Sequence, residues 1–403
     1  MTNHRDFHDG RQDGLVPLES LDLTQVKSFA GLLRAMSRTA FGGRSLGEAF
    51  EVVLEMVRDP DCKVVLTLSG AMTIAKMGKV ISTMIEHGMV QAIVSTGALM
   101  AHGLSEAVGM VHYRYDPNVS DEELFDKGYN RVYDTLEMES NLNYVEEFTT
   151  RALNALGGGE LSSEIICRAL GKELSAEGQA GVLRSAFDKG VPVFVPAFTD
   201  SELGLDLGTW AMRNAITSGK SKAEAAFTAL PRYNPYLDLN SFARFALSAK
   251  RLGIFTIGGG VPRNWAQEVG PYIDIMDHRL NIDLKPPRYQ YAVRICPEPT
   301  HWGGLSGCTY SEGVSWGKFV PESEGGRFAE VYADATTVWP LLIKGVLEER
   351  AKGGHARPSS AARNAVSHGR LEEPHGPQSA RHGKSASRAA SGKPRKVKAK
   401  PRP

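Results

Sequence analysis

A repeated alternation of short apolar runs and amphipathic segments constrains the fold of this chain more than any other feature. Each run is rich in β-branched residues and ends in glycine or small polar residues, after which a helical pattern begins. The runs are residues 63–68, 91–95, 191–195, 254–257, 291–295 and the segment around Val331 and Tyr332. Because long crossovers join consecutive runs, the pattern predicts an α/β fold with a doubly wound, mostly parallel sheet.

The segments outside these runs are predicted to be helical. Residues 140–190 show helical spacing of Ala, Leu, Ile and Val without a strand. Apolar stripes that begin at Val26 and Phe50 predict N-terminal helices that cover the sheet. We therefore expect a flexible arm over residues 1–24, one domain over residues 25–350 and a separate tail over residues 351–403.

The tail differs sharply in charge from the rest of the chain. Residues 351–403 carry a local charge of +11, with thirteen lysines and arginines against two glutamates, whereas the first 350 residues carry −10. Because the segment contains no Phe, Tyr or Trp, it cannot bury enough apolar surface to offset its ordering entropy, and we expect it to be disordered. A weak contact with nucleic acid through residues 393–400 and a solvated extension without a partner are both open.

Truncation after Lys352 tests this interpretation of the tail. We expect folding and assembly to be unchanged, while any binding to a DNA or RNA oligonucleotide weakens because the phosphate-neutralising charges are gone. Size-exclusion chromatography and an oligonucleotide titration at fixed salt measure the two effects. Loss of the soluble oligomer would contradict the prediction, since it would mean that the tail packs.

Composition excludes several classes of protein. A chain that is 42% hydrophobic and 23% charged is neither wholly disordered nor a coiled coil. Four cysteines without a CxxC pair indicate neither a disulfide framework nor a zinc site, which fits the cytoplasm. The absence of a long apolar run predicts no membrane span. The histidines lack metal-ligand spacing, so no metal is expected; they include His102, His112, His278 and His301.

The turns after the predicted strands form the candidate ligand site. In an open parallel sheet, ligands bind beyond the carboxyl ends of the strands. Backbone N–H groups at Gly258, Gly259 and Gly260 could approach a pyrophosphate there, because glycine lacks a Cβ. The sequence has neither GxGxxG nor GxxxxGK[ST], so a nucleotide site and an ordinary turn both remain open.

Two aspartates, Asp200 and Asp334, follow strands at the points where helices should begin. Each could cap its helix by accepting hydrogen bonds from first-turn amides. Each could instead bind ribose hydroxyls or a cationic substrate. Glu202 and Asp206 add negative charge near Asp200, which suits an amine better than a phosphate.

The segment SEGVSWGKF places a glutamate, a tryptophan and a lysine close together at residues 311–319. Glu312 and Trp316 share a face if the segment is helical, and Lys318 joins them if the chain turns at Gly317. A lysine in a dry crevice can act as a neutral amine and form an imine. The alternative is a surface lysine whose stem lies over the indole ring.

These motifs resemble those of deoxyhypusine synthases, and in particular of the bacterial deoxyhypusine synthase-like proteins, over roughly residues 25–350. The segments that carry the resemblance are GVSWGKF, VYADATTVWPLL, VPAFTDSELG and the strand before the three glycines. The resemblance implies an NAD-binding parallel sheet and a homotetramer with active sites at dimer interfaces. It also implies that NAD oxidises spermidine, that an aminobutyl group passes to an enzyme lysine as an imine, and that a protein lysine accepts it.

By motif, the resemblance assigns a role to individual residues. Lys318 is implied to be the catalytic, imine-forming lysine. Implied contacts to the amine substrate are Trp316, Glu312, Asp206, Asn264 and His102. Implied contacts to NAD are Thr73, Thr96, Gly97, Asp200, Gly258, Gly259, Gly260 and Asp334.

The chain departs from the family pattern where the amine is recognised. His102 stands where the family has one of a glutamate pair, and Asn264 stands where it has a histidine. Two family aspartates are replaced by Trp302 and Leu305, and a third falls on Leu205, beside Asp206. We therefore predict an NAD-dependent alkylamine transferase with altered substrate recognition.

Two alternatives to this prediction stay open. A free polyamine synthase of the homospermidine type would use the same chemistry with a small acceptor amine. An NAD-binding paralogue without turnover would act as a subunit or regulator instead.

Overall fold

The computed structural model describes residues 7–70, 72–303 and 307–352. The strands in these ranges are β1 (Cys62–Leu68), β2 (Ala92–Ser95), β3 (Tyr113–Arg114), β4 (Tyr129–Val132), β5 (Thr135–Met138), β6 (Val193–Phe194), β7 (Arg251–Ile257), β8 (Tyr289–Ile295) and β9 (Arg327–Val331). The helices are α1 (Phe29–Ser37), α2 (Phe41–Arg58), α3 (Gly78–Glu86), α4 (Gly97–Ala107), α5 (Asp121–Asp126), α6 (Glu139–Ala155), α7 (Ser163–Ala176), α8 (Val182–Lys189), α9 (Glu202–Thr217), α10 (Lys222–Thr228), α11 (Pro235–Leu247), α12 (Gly260–Gln267), α13 (Val269–Leu280), α14 (Tyr310–Ser315) and α15 (Ala335–Lys352).

The predicted parallel sheet is confirmed. Its six strands lie in the order β6-β2-β1-β7-β8-β9, and every adjacent pair runs parallel. The strands are buried on both faces, as parallel strands covered by helices require. Alternate residues of β1 therefore enter different cores: Val64 and Leu66 pack on one side of the sheet and Val65 packs on the other.

The edge strand β6 is shorter than the apolar run at 191–195 predicts. Only Val193 and Phe194 pair with β2. On one side Pro192 has no N–H to donate to a strand ladder, and on the other side the Val195 N–H donates to Oγ of Ser163 at 2.7 Å instead of to β2.

A second, antiparallel sheet in the order β3-β5-β4 was not predicted from the sequence. Its strands are two to four residues long; both residues of β3 are exposed, β4 has no buried residue, and the two middle residues of β5 are buried. Such strands carry too little apolar alternation to be recognised locally. The sheet follows α4 in the chain, and its central strand delivers the buried Glu137.

The N-terminal helices cover the sheet, as predicted, and pack with the C-terminal helix. Phe50 on α2 and Trp339 on α15 are fully buried. A Cβ at Gly345 would lie 2.6 Å from Leu33, so glycine is needed where α15 crosses α1. The predicted domain end at residue 350 lies within two residues of the end of α15, and the predicted tail beyond it lies outside the described residues. No helix of the described residues is long and apolar enough to cross a membrane.

Part of the predicted N-terminal arm is tied to the domain. The backbone N–H of Glu19 donates to the carbonyl of Arg38 at 3.0 Å, and the two side chains form an ion pair. The remainder of residues 7–24 is mostly exposed.

Candidate active site

Lys318 lies immediately after a tight turn that closes α14. Gly317 has φ +69°, a left-handed conformation that favours glycine, and the Lys318 N–H donates to the carbonyl of Gly313 at 3.0 Å. The Lys318 carbonyl accepts from the N–H of Tyr289 at 2.9 Å, which joins the turn to β8. The backbone around the lysine is therefore fixed by the sheet.

The side chain of Lys318 is buried, with 6% of its surface exposed. Its Nζ lies 2.7 Å from Oε1 of Glu268 and 3.4 Å from Oδ1 of Asn264. Asn264 on α12 and Glu268 at its C-terminal cap are four residues apart and so share one face of the helix. The surface-lysine alternative is therefore wrong.

Glu268 is the functional candidate that sequence reasoning missed. Its i,i+4 spacing from Asn264 was visible, but only the packing of α12 beside the Gly317 turn brings it to Lys318. The carboxylate is 44% exposed, so it connects the buried ammonium to solvent. It can accept the proton that the lysine must lose to act as a nucleophile.

Trp316 and Glu312 stand at the open side of this site. The Trp316 ring centre is 5.9 Å from Nζ of Lys318, within cation–π range, while 62% of Trp316 is exposed. Glu312 lies in the first turn of α14, where its N–H donates to Oγ1 of Thr309. Its carboxylate is exposed and forms no ion pair with Lys318 among the described residues, so of these two residues only the tryptophan lies beside the lysine.

The glycine N–H groups predicted to approach a pyrophosphate are partly used within the protein. The Gly258 N–H donates to the carbonyl of Ile295 at 2.8 Å, and the Gly259 N–H donates to Oγ of Ser69 at 3.0 Å. A Cβ at Gly258 would lie 2.1 Å from that Oγ. These two glycines therefore allow β1 and β7 to end in close contact, and their predicted contact with NAD stays a prediction. Gly260 has φ +59° and open space around its missing Cβ.

The two aspartates after strands have different roles. Asp334 caps α15: its Oδ1 accepts from the Thr337 N–H at 3.0 Å, and a hydrogen bond from Thr336 lowers the pKa of the carboxyl. Asp200 is not a cap, because Ser201 accepts from the first turn of α9 instead. Its exposed carboxylate makes no hydrogen bond or ion pair with any residue in the described ranges, so it is available to a ligand.

The residues near β2 that were predicted to contact the cofactor have different structural environments. Thr96 caps α4 by accepting from the Leu99 N–H. A Cβ at Gly97 would lie 2.2 Å from Oγ of Ser201, so Gly97 lets the turns after β2 and β6 meet. Thr73 is fully buried and its hydroxyl donates to the Leu99 carbonyl at 2.7 Å, and its predicted contact with NAD stays a prediction.

Comparison with known proteins identifies the family. A deoxyhypusine synthase family model matches residues 31–346, more than three quarters of the chain. The chain belongs to the deoxyhypusine synthase family. It is 33% identical over 340 residues to a Methanosarcina mazei protein named "Probable deoxyhypusine synthase 2", with 84% of this chain and 90% of the relative covered. It is 30% identical over 348 residues to the "Deoxyhypusine synthase-like protein" of Elusimicrobium minutum, with 85% and 87% covered.

A solved structure confirms the fold. The crystal structure of an Entamoeba histolytica protein assigned to the deoxyhypusine synthases superposes with a TM-score of 0.52 at 15% identity. The superposition covers 82% of this chain and 97% of that one.

Several departures from the deoxyhypusine synthase pattern have definite places in the structure. Asn264 lies beside Lys318, as described above. His102 was predicted to bind substrate, but its Nδ1 faces Oε2 of Glu137 at 2.7 Å. Trp302 is 65% exposed, whereas Leu305 lies outside the described residues. Of these exchanged residues, Asn264 therefore lies beside the lysine and His102 faces Glu137.

Asp206 lies in a group of carboxylates between α6 and α9. Burial, together with the negative charges of Glu146 and Glu202, raises the pKa of Asp206 to about 7. The Glu146 carboxylate is held by Arg213 at 2.8 Å, which leaves Asp206 without a cation of its own. An ammonium group bound beside Asp206 would compensate its negative charge and so stabilise the ionised carboxylate.

The Asp206→Asn variant tests this strained carboxyl. The pKa of Asp206 is higher in the folded state than in the unfolded state. The protonated carboxyl therefore does not destabilise the fold, and the protein loses stability as the carboxyl ionises between about pH 4 and about pH 7. We expect the variant to be more stable than the wild type at pH 8, by about 1–2 kcal/mol after allowance for solvent screening, and nearly equal at pH 4.5. Urea unfolding at the two pH values measures the difference. Asp126→Asn, at the exposed C-terminal end of α5, is the control. Equal effects at both pH values would contradict the assignment.

His102, His112 and Glu137 form a buried cluster that sequence spacing did not reveal. Oε1 of Glu137 is 3.3 Å from Nε2 of His112, opposite the His102 contact. Burial opposes ionisation of Glu137, but the two imidazoles outweigh it and lower its pKa to about 2. Burial lowers the pKa of His102, and contact with Glu137 raises it by more. The three residues meet only because the small sheet folds back onto α4.

Proposed function

We propose that this protein is an NAD-dependent alkylamine transferase that carries the transferred group on Lys318 as an imine. The observation that carries the proposal is the buried Lys318 ammonium held between Glu268 and Asn264. Membership of the deoxyhypusine synthase family supports the reaction class, transfer of an aminobutyl-type group.

The residues at the carboxyl edge of the sheet are compatible with NAD. The unpaired Asp200 carboxylate suits ribose hydroxyls, and Gly260 leaves open space at the start of α12, whose N-terminal end favours a phosphate. When bound, NAD would take a hydride from the donor amine and later return it to the product. Because β6 and β9 are the two edge strands, Asp200 and the Asp334 cap would hold different parts of the cofactor.

The chain's own residues perform the transfer between these redox steps. Lys318, once deprotonated, attacks the carbon of the oxidised donor's C=N bond, and the donor's other half leaves as a free amine. The incoming acceptor amine then attacks the lysine imine, and Lys318 is released as an amine. Glu268 accepts the ammonium proton in the first exchange and returns it in the second, while Asn264 orients Nζ.

Trp316 and Glu312 would contact the alkyl chain and the distal ammonium of the donor. Trp316 is largely exposed in the single chain, so a second copy that covers the indole would exclude water from the imine. This supports the predicted homotetramer with sites at subunit interfaces. Light scattering at micromolar concentration tests the assembly.

Substrate recognition is proposed to differ from the family pattern. Losing a carboxylate partner costs about 1.5–3 kcal/mol of binding free energy per charge-assisted hydrogen bond. The replacement of two aspartates by Trp302 and Leu305 would therefore weaken the binding of spermidine by a factor of about a hundred or more. Spermidine is therefore expected to be a poor donor. Asp206, beside Leu205, is the carboxylate of that segment that we expect to bind a cationic amine.

To decide between these functions, the purified protein is incubated with NAD and a panel of diamines and polyamines, and the products are identified by mass spectrometry. New free polyamines would identify a free polyamine synthase; a mass added to a lysine of a supplied translation factor would identify protein modification. Efficient deoxyhypusine formation from spermidine would contradict the proposed change in recognition. No product from any amine, with NAD bound, would favour the silent paralogue.

A further inference from the structure

The buried cluster of His102, His112 and Glu137 has the composition of a metal site. His102 projects from α4, His112 from the segment between α4 and β3, and Glu137 from β5. One ligand atom from each lies within 4.8 Å of the other two. Two imidazoles and one carboxylate are a donor set that Zn²⁺ takes, with a fourth position left for a non-protein ligand. We infer that these three side chains bind a Zn²⁺ ion.

The contacts between the three side chains support coordination over ordinary hydrogen bonding. Nδ1 of His102 is 2.7 Å from one oxygen of Glu137, and Nε2 of His112 is 3.3 Å from the other. Each of these nitrogens, and Oε1 of Glu137, lacks a hydrogen-bond partner among the described residues. Tetrahedral zinc with bonds of about 2.0–2.1 Å separates its ligand atoms by roughly 3.3 Å, which the His112–Glu137 distance of 3.3 Å matches, whereas the 2.7 Å contact of His102 would have to lengthen.

Burial strengthens the inference. The side chains of His112 and Glu137 are 1% and 2% exposed, and that of His102 is 14% exposed. An ion pair with one protonated imidazole would suffice to compensate the buried carboxylate. A shared ion would use the second buried imidazole as well, which faces the other carboxylate oxygen.

Lys76 opposes a metal at this cluster. Its Nζ lies 2.8 Å from Nδ1 of His112, an arrangement in which Nδ1 accepts and Nε2 holds the proton. Coordination through Nε2 needs the proton on Nδ1, so Lys76 has to turn away. Its side chain is 46% exposed and lies 3.7 Å from Glu106, which offers it another partner. Lys76→Met should therefore strengthen metal binding.

The ion would join two parts of the fold. α4 begins at the carboxyl end of β2, where the cofactor is proposed to bind, and β5 is the centre of the small antiparallel sheet. A shared ion would hold that sheet against α4. Metal binding should therefore raise the melting temperature of the whole chain.

Cobalt substitution tests the inference on the full chain. After removal of metals with a chelator, we expect one Co²⁺ per chain by elemental analysis and an intense visible absorption typical of tetrahedral coordination, displaced by Zn²⁺. His112→Ala and Glu137→Gln should each weaken binding by about a hundredfold or more, since each removes a direct ligand. His301→Ala, an exposed histidine outside the cluster, should bind as the wild type does, and Lys76→Met should bind more tightly.

The wild-type measurements keep the inference testable if a variant does not fold. Failure of the wild type to take up Co²⁺ or Zn²⁺ near one equivalent would overturn it. Binding that survives in a folded His112→Ala or Glu137→Gln variant would overturn it equally. The outcome is independent of transfer activity, because neither readout uses an amine or NAD.

Discussion

Lys318→Arg is expected to abolish transfer, with a loss of about a thousandfold or more in kcat. Arginine keeps the positive charge and much of the bulk, but its guanidinium stays protonated and cannot form an imine. The affinity for NAD should change little, because Lys318 contacts Glu268 and Asn264 and not the strand-end turns. Turnover measured by mass spectrometry, and NAD binding measured by calorimetry, separate the two effects.

Chemical trapping makes this result specific. Borohydride added during turnover should fix the donor-derived alkylamine on the peptide that contains Lys318. The Arg variant should carry no such mass. Lys344→Arg, an exposed lysine on α15, is the matched control and should behave as wild type. If the wild type turns over an amine without an adduct at Lys318, or the Arg variant keeps wild-type rates, the lysine is only a charge in the site.

Glu268→Gln is expected to give the second largest loss. The amide keeps the size of the carboxylate and can still accept a hydrogen bond from Nζ, but it cannot take up the proton. We expect kcat to fall by about a hundredfold, in the range for removal of a positioned proton acceptor, with a small change in KM. The pH dependence of kcat is the decisive measurement: activity of the variant should recover at high pH, where hydroxide takes over.

Two further variants define what Glu268 does. Glu268→Asp keeps the carboxylate at a shorter reach and should restore part of the activity. Glu122→Gln, on the exposed face of α5, controls for loss of a surface charge. A wild-type pH profile in Glu268→Gln would show that the contact with Lys318 serves stability alone.

Local sequence patterns predicted the parallel sheet because neighbouring residues are enough to recognise both a buried strand and the turn that follows it. β1 and β7 are continuous apolar runs followed by small residues, and their pairing follows from burial on both faces. Where the local signal was weak, the prediction failed. The two- to four-residue strands of the small sheet have no clear period. A proline at one end of β6 and the hydrogen bond from Val195 to Ser163 at the other shorten that strand.

Within the site, sequence by itself determined the residue types and their motif positions: Lys318 after a glycine turn, Asp200 and Asp334 after strands, and Asn264 on α12. The tertiary structure decided which of them meet. Glu268 contacts Lys318. Ser201, and not Asp200, caps α9. The N–H groups of Gly258 and Gly259 form hydrogen bonds within the protein. His102, His112 and Glu137 converge across 35 residues of chain. Capping, burial and proton transfer act over a few ångströms between side chains that are distant along the chain, so only the packing of helices and sheet could fix these contacts.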